Sequence, residues 1–111
     1  MKRRSLKELQ GAVESATGRT KKALALYELA VFHDNNSRET VAVPIYQRAI
    51  RFGLDRKHEA MARAWLASSL YKTSRPREAQ KQISGASKLA QHPRLKKFLA
   101  GLSKRIEKKA A

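Results

Sequence analysis

Apolar residues recur along this chain at spacings of three and four, which place them on one face of an α-helix. Leu6, Leu9, Val13 and Ala16 share such a face over residues 5–17. Ser5 with Glu8 three places on has the pattern of a capping box, and Gly18 ends the segment. Residues 20–35 repeat the period with Ala23, Leu26, Leu29, Ala30 and His33. Asn35-Asn36-Ser37 then breaks it, because Asn tolerates the left-handed conformation that ends a helix. Ser37 is expected to cap a third helix, with Glu39 near its N-terminus, that closes at Gly53. Val41, Ala42, Ile45, Ala49 and Phe52 carry the period through Pro44, whose missing N–H predicts a local bend. A fourth helix, over residues 56–73, is expected to be capped by Asp55 and to carry Ala60, Ala64, Leu66, Ala67 and Leu70. Ser74 is expected to cap a fifth, running to residue 90, with Pro76 in its first turn and Ser84-Gly85 weakening its middle. His92-Pro93 opens the sixth, in which Leu95, Phe98, Leu99, Leu102 and Ile106 form an apolar stripe against seven basic residues.

Part of this pattern is written twice. A shift of 37 places superposes Ala23, Ala25, Leu29, Ala30, Ser37, Arg38, Ala42 and Ala49 on Ala60, Ala62, Leu66, Ala67, Ser74, Arg75, Ala79 and Ala86, which is 8 identities in 27 positions. The arrangement matters more than the count: a small-residue helix, a polar break at Ser-Arg, then a helix with alanines seven residues apart. A helical hairpin therefore occurs twice, as in repeat arrays where one hairpin cannot bury its apolar face alone.

The order Leu29-Ala30, Ala42, Tyr46, Ala49, and again Leu66-Ala67, Ala79, Ile83, Ala86, resembles the tetratricopeptide repeat. The run from Ala25 to Gly53, with Leu66-Ala67-Ser68-Ser69-Leu70, is similar in particular to the small bacterial group-5 branch of that family. The resemblance covers residues 20–105. Leu26 and Arg63 stand where the motif prefers tryptophan, Ala30 and Ala67 where it prefers glycine, and no proline closes either repeat. The reading is an all-α domain of about six antiparallel helices over residues 5–108, behind a basic tail at residues 1–4. It comprises one repeat over 20–53, a second over 56–90 and a capping helix over 93–108, in a short right-handed superhelix. The first helix reads as a degenerate half-repeat, with Leu9, Val13 and Ala16 in the places of Ala42, Tyr46 and Ala49, or as a solvated tail.

The family resemblance implies an interaction module in which the first helix of each hairpin lines a concave groove. Carried over by spacing, the groove positions are Leu24, Tyr27, Val31, Asp34 and Asn35, then Met61, Ala64, Ser68, Tyr71 and Lys72. Arg94, Lys97, Lys104 and Arg105 continue the wall if the sixth helix is equivalent. Such a groove suits a protein or peptide partner with acidic residues, anchored by Tyr27 and Tyr71 and oriented by Lys72, Lys97 and Lys104. The alternative is that the tyrosines pack between helices and the lysines form a solvated face. The family's carboxylate clamp is not supported, since Tyr27 and Val31 occupy two of its positions.

Composition narrows the rest. At 111 residues the chain is one domain that can bury about two thirds of its unfolded surface. With 41% apolar and 31% charged residues it is neither a disordered nor a membrane type. No apolar run is long enough to span a bilayer, and Met1-Lys2-Arg3-Arg4 leads into no hydrophobic region, so export is not expected. The absence of cysteine removes disulfides and thiolate chemistry and fits a reducing cytoplasm. The net charge of +16 is uneven: residues 23–55 hold three basic and four acidic groups, whereas residues 56–90 hold eight and two. That field attracts acidic protein, nucleic acid or anionic lipid, and discourages self-association.

No catalytic, cofactor or metal constellation emerges. His33, His58 and His92 are 25 and 34 residues apart, there is no phosphate-binding glycine loop, and no paired carboxylates suggest an acid and base. A non-enzymatic adaptor without cofactor is expected. The competing reading is sequence-independent binding of RNA or DNA through Arg56, Lys57, Arg63, Arg75, Arg77 and Lys81, although aromatics are sparse. A third is a structural piece that pairs through an exposed patch at Trp65 or Phe32; the residues carry no signal of oligomeric state.

Overall fold

Among the described residues the helical periods fold into six helices: α1 (Leu6–Ser15), α2 (Arg19–Asn35), α3 (Glu39–Phe52), α4 (Arg56–Lys72), α5 (Pro76–Leu89) and α6 (Pro93–Ala110). The computed structural model describes residues 4–110; the first three residues of the basic tail lie outside the described residues. Short connections fold the helices back on one another. α2 packs along α3 and α4 along α5, α3 joins the two hairpins by resting on α4, and α1 and α6 cover the ends. α2 also touches α4, and α4 touches α6, so these three form an inner layer while α1, α3 and α5 lie outside it. The long axis is 46 Å against 27 and 26 Å across, the shape of stacked hairpins.

The core explains the repeat. Half of the 22 buried hydrophobic residues among those described are alanines, which let helix axes approach closely, while Leu26, Leu66, Leu70, Tyr46, Leu99 and Leu102 fill the gaps. Of the eight repeated residues, Ala23, Leu29, Ala30, Ala42 and Ala49 are buried together with their counterparts Ala60, Leu66, Ala67, Ala79 and Ala86. The Ser-Arg pairs have a different purpose.

Ser37 and Ser74 do not cap the helices that follow. Both are left-handed, at φ 59° and 64°. Ser37 N–H donates to Asp34 O and Arg38 N–H to His33 O, and Ser74 N–H donates to Tyr71 O and Arg75 N–H to Leu70 O. These paired bonds close the preceding helix in a Schellman motif, with serine where glycine is usual. The N-caps of α3 and α5 are Arg38 and Arg75, neither with a side-chain cap bond. The break falls where the sequence puts it, but the serines end one helix and do not begin the next.

Elsewhere the local signals hold. Glu8 N–H donates to Ser5 Oγ and Ser5 N–H to Glu8 Oε1, completing the capping box of α1. His58 N–H donates to Asp55 Oδ1 at 2.9 Å at the start of α4. α3 runs unbroken through Pro44 and ends at Gly53, whose φ of 106° suits glycine. Gly85 leaves room for the Arg63 side chain, whose Cδ would lie 3.2 Å from a Cβ there. Arg63 crosses α5 at this point and donates to Gln82 Oε1 at 2.9 Å and to Glu59 Oε2 at 2.8 Å.

Candidate functional site

Because α1, α3 and α5 lie outside, one face of α2, α4 and α6 is left without a packed neighbour. On α2 this face carries Leu24, 37% exposed, with half-buried Tyr27 and Val31, and Asn35 at its C-terminal end. On α4 it carries Met61, Trp65 and Ser68, all half-buried, and the exposed Lys72. At about 100° per residue these fall on a single stripe of the helix. α6 contributes Leu95 and Phe98 with Arg94 beside them.

An aromatic from each inner helix links the layer. Trp65 Nε1 donates to the Tyr27 hydroxyl at 3.3 Å, and the Trp65 and Phe98 rings meet edge to face with centroids 5.1 Å apart. Tyr27 also packs on His58 at 5.4 Å and on Tyr46 at 6.4 Å. Burial pushes the Tyr27 phenol above its ordinary value, partly opposed by the bond from Trp65. Tyr27 is therefore as much a packing residue as a surface one. Trp65 and Phe98 are the inner-face aromatics that the family spacing misses. The available signal is that they stand 38 and 33 residues apart from the preceding inner aromatic, one per inner helix.

The other expected groove residues separate. Ala64 is fully buried between helices and offers no surface. Asp34 is half-buried and accepts from the Tyr46 hydroxyl at 2.9 Å. Burial raises the Asp34 carboxyl, while the Tyr46 bond and Lys72 draw it down and Glu39 pushes it up. The buried Ser69 hydroxyl lies near this carboxylate without completing a bond. Lys72 reaches toward Glu39 at 3.8 Å. Tyr71 turns from the stripe toward α6, where Lys109 Nζ lies 5.5 Å from its ring centroid. Lys97 and Lys104 are exposed, but helical spacing sets them opposite the buried Leu99, Leu102 and Ile106, beyond the edge of the inner face. On α6 it is Arg94, Phe98, Arg105 and Lys109 that share the inner flank.

The expected polyanion residues do not form one surface. Arg56 donates to Leu89 O and Lys88 O, closing the end of α5. Arg63 is held between Glu59 and Gln82, and Arg75 pairs with Glu78. Lys57 lies at the inner cleft between α4 and α6. Arg77 and Lys81 are exposed on α5, with no ionic partner among the described residues. The pairing patch is likewise divided, since Arg38 covers Phe32 with its guanidinium 5.6 Å from the ring centroid while Trp65 lines the cleft.

Among the described residues no three His, Asp or Glu side chains gather as a metal site, and no helix is long and apolar enough to cross a membrane. A family model described as Tetratrico peptide repeat matches residues 23–103, which includes most of α2, all of α3 to α5 and most of α6. No curated protein and no solved structure matches the chain.

Proposed function

The chain belongs to the tetratricopeptide repeat family of protein-interaction modules, and from this premise we propose that it is an adaptor whose inner face holds an extended, acidic peptide segment of a protein partner. The observation that carries the reading is the uncovered stripe of α2 and α4, where Leu24, Val31, Met61 and Ser68 lie beside Lys72. Lys72 is the cation of the stripe, with Glu39 3.8 Å from it, while Glu28 bonds to Arg4 and Asp34 to Tyr46. The Ala25–Gly53 run supports placing the chain in the small bacterial group-5 branch, and the reducing-compartment composition supports action in the cytoplasm.

Tyr27 is a poor test residue because its loss disturbs contacts to Trp65, Tyr46 and His58. The double variant Leu24→Glu/Ser68→Glu changes the stripe with less effect on the core, since neither side chain bonds to Tyr27 or lines the cleft between α4 and α6. A partner recovered by affinity capture should be lost with this variant, by about tenfold or more in affinity, and retained with Arg77→Glu/Lys81→Glu. Retention by the first and loss by the second would reject the groove. It would favour the second reading, nucleic acid bound by the exposed Arg77, Lys81 and Lys88 stripe of α5, whose affinity must then fall steeply with salt.

A further inference from the structure

The inner face deepens between α4 and α6 into a cleft of about 600 Å³. Its walls are Met61 and Trp65 of α4 and Leu95 and Phe98 of α6, and the α5–α6 connection through Gln91 and His92 closes one end. The volume is within the range of about 300–1,000 Å³ found for small-molecule sites and is large for one peptide side chain. Apolar walls with few polar groups favour a ligand that is mostly hydrocarbon or aromatic. The charged groups present are all of one sign. Lys57 and Arg94 line the cleft, no acidic residue does, and neither cation has an ionic partner among the described residues. The acids of the first turn of α4 and its cap are directed elsewhere: Asp55 binds His58, and Glu59 binds Arg63.

We propose that this cleft is a binding site for a small amphipathic anion, an apolar body bearing one carboxylate or similar group. The apolar body lies between Trp65 and Phe98, and the anionic head is held by Lys57 and Arg94. A neutral or cationic amphiphile of the same length would leave both cations without a counter-charge, so head-group charge is the specificity element. The site adjoins the α2–α4 stripe and shares Met61 and Trp65 with it, but does not depend on a peptide being bound there.

Trp65 is the only tryptophan and reports on the cleft directly. Dodecanoate, titrated below its micelle-forming concentration, should change Trp65 emission and saturate at one molecule per chain, with helix content unchanged by circular dichroism. Dodecyltrimethylammonium and dodecanol should bind at least about tenfold more weakly, and Lys57→Glu/Arg94→Glu should weaken dodecanoate by a similar factor, the equivalent of one charge-assisted contact. Both substituted residues are exposed, so the fold is retained, and Leu24→Glu on α2 should leave the titration unchanged. Equal response to all three head groups, indifference to the double variant, loss of helix content or no response would each overturn the proposal. So would a Trp65 response to an acidic peptide alone.

Discussion

Tyr46 is the largest fully buried side chain, and its hydroxyl ends on the half-buried Asp34. Beside Asp34 on α2, His33 is buried and accepts from Arg38 Nε at Nδ1, 2.9 Å away, which keeps that nitrogen unprotonated. The two neighbours respond to pH in opposite senses. Asp34 sits above its ordinary 3.8, chiefly through burial, so as pH rises past that value the unfolded chain releases its proton first and stability falls. His33 sits below its ordinary 6.5, through burial and then the Arg38 charge, so stability falls as pH drops through 6.5 and the unfolded chain takes up the proton first. Replacing Asp34→Asn should remove the first slope alone. In urea unfolding from about pH 3 to about pH 7, the wild type should compare best with the variant at the acid end and lose ground toward neutrality. A gap independent of pH would show that Asp34 is not held up by the fold.

At the scale of the element, the two hairpin turns are the same device built from different neighbours, Asn36-Ser37-Arg38 and Thr73-Ser74-Arg75. Each forces a serine into the left-handed region, which costs an L-residue about 1–2 kcal/mol. Glycine avoids that cost but loses part of the gain, roughly 0.5–1 kcal/mol, to the freedom of the unfolded chain. Ser37→Gly and Ser74→Gly should therefore each stabilise the protein by about 0.5–1 kcal/mol, and the pair should be close to additive because the turns are separate. Chemical denaturation of the two single variants and the double variant measures this directly. Destabilisation by either change would mean that its serine makes a contact worth more than the strain.

For the whole molecule, the net charge of +16 outweighs the ion pairs. The five salt bridges among the described residues mostly involve exposed groups, a class worth about 0–1 kcal/mol each. Self-repulsion of the like charges acts on the entire compact state and is screened once the Debye length shortens to about 10 Å at 0.1 M salt. The melting temperature should therefore rise between about 0.01 M and about 0.15 M sodium chloride. A fall would mean that the surface pairs, Arg63 with Glu59 foremost, hold the fold more than the excess charge opposes it.

Residue order alone specifies the six helices, the capping box at Ser5, the Asp55 cap, the doubled hairpin and the family. These depend on residues within a few places of one another, or on alanines whose period states how closely helices must approach. Tertiary structure decided which side of each helix is left uncovered. Ala64 and Met61 lie on the same helix three residues apart, and only the placement of the neighbouring helices buries the first fully and leaves the second half-buried. Ser37 and Ser74, which their sequence context predicts as N-caps of the helices that follow, instead close the helices before them, since a serine between two helices can do either according to a dihedral angle that composition does not state. Trp65 and Phe98 meet only because α6 folds back beside α4, and the cationic rim forms because Arg94 arrives with it opposite Lys57. Local periods specify elements; the uncovered surface depends on distances between residues far apart in the chain.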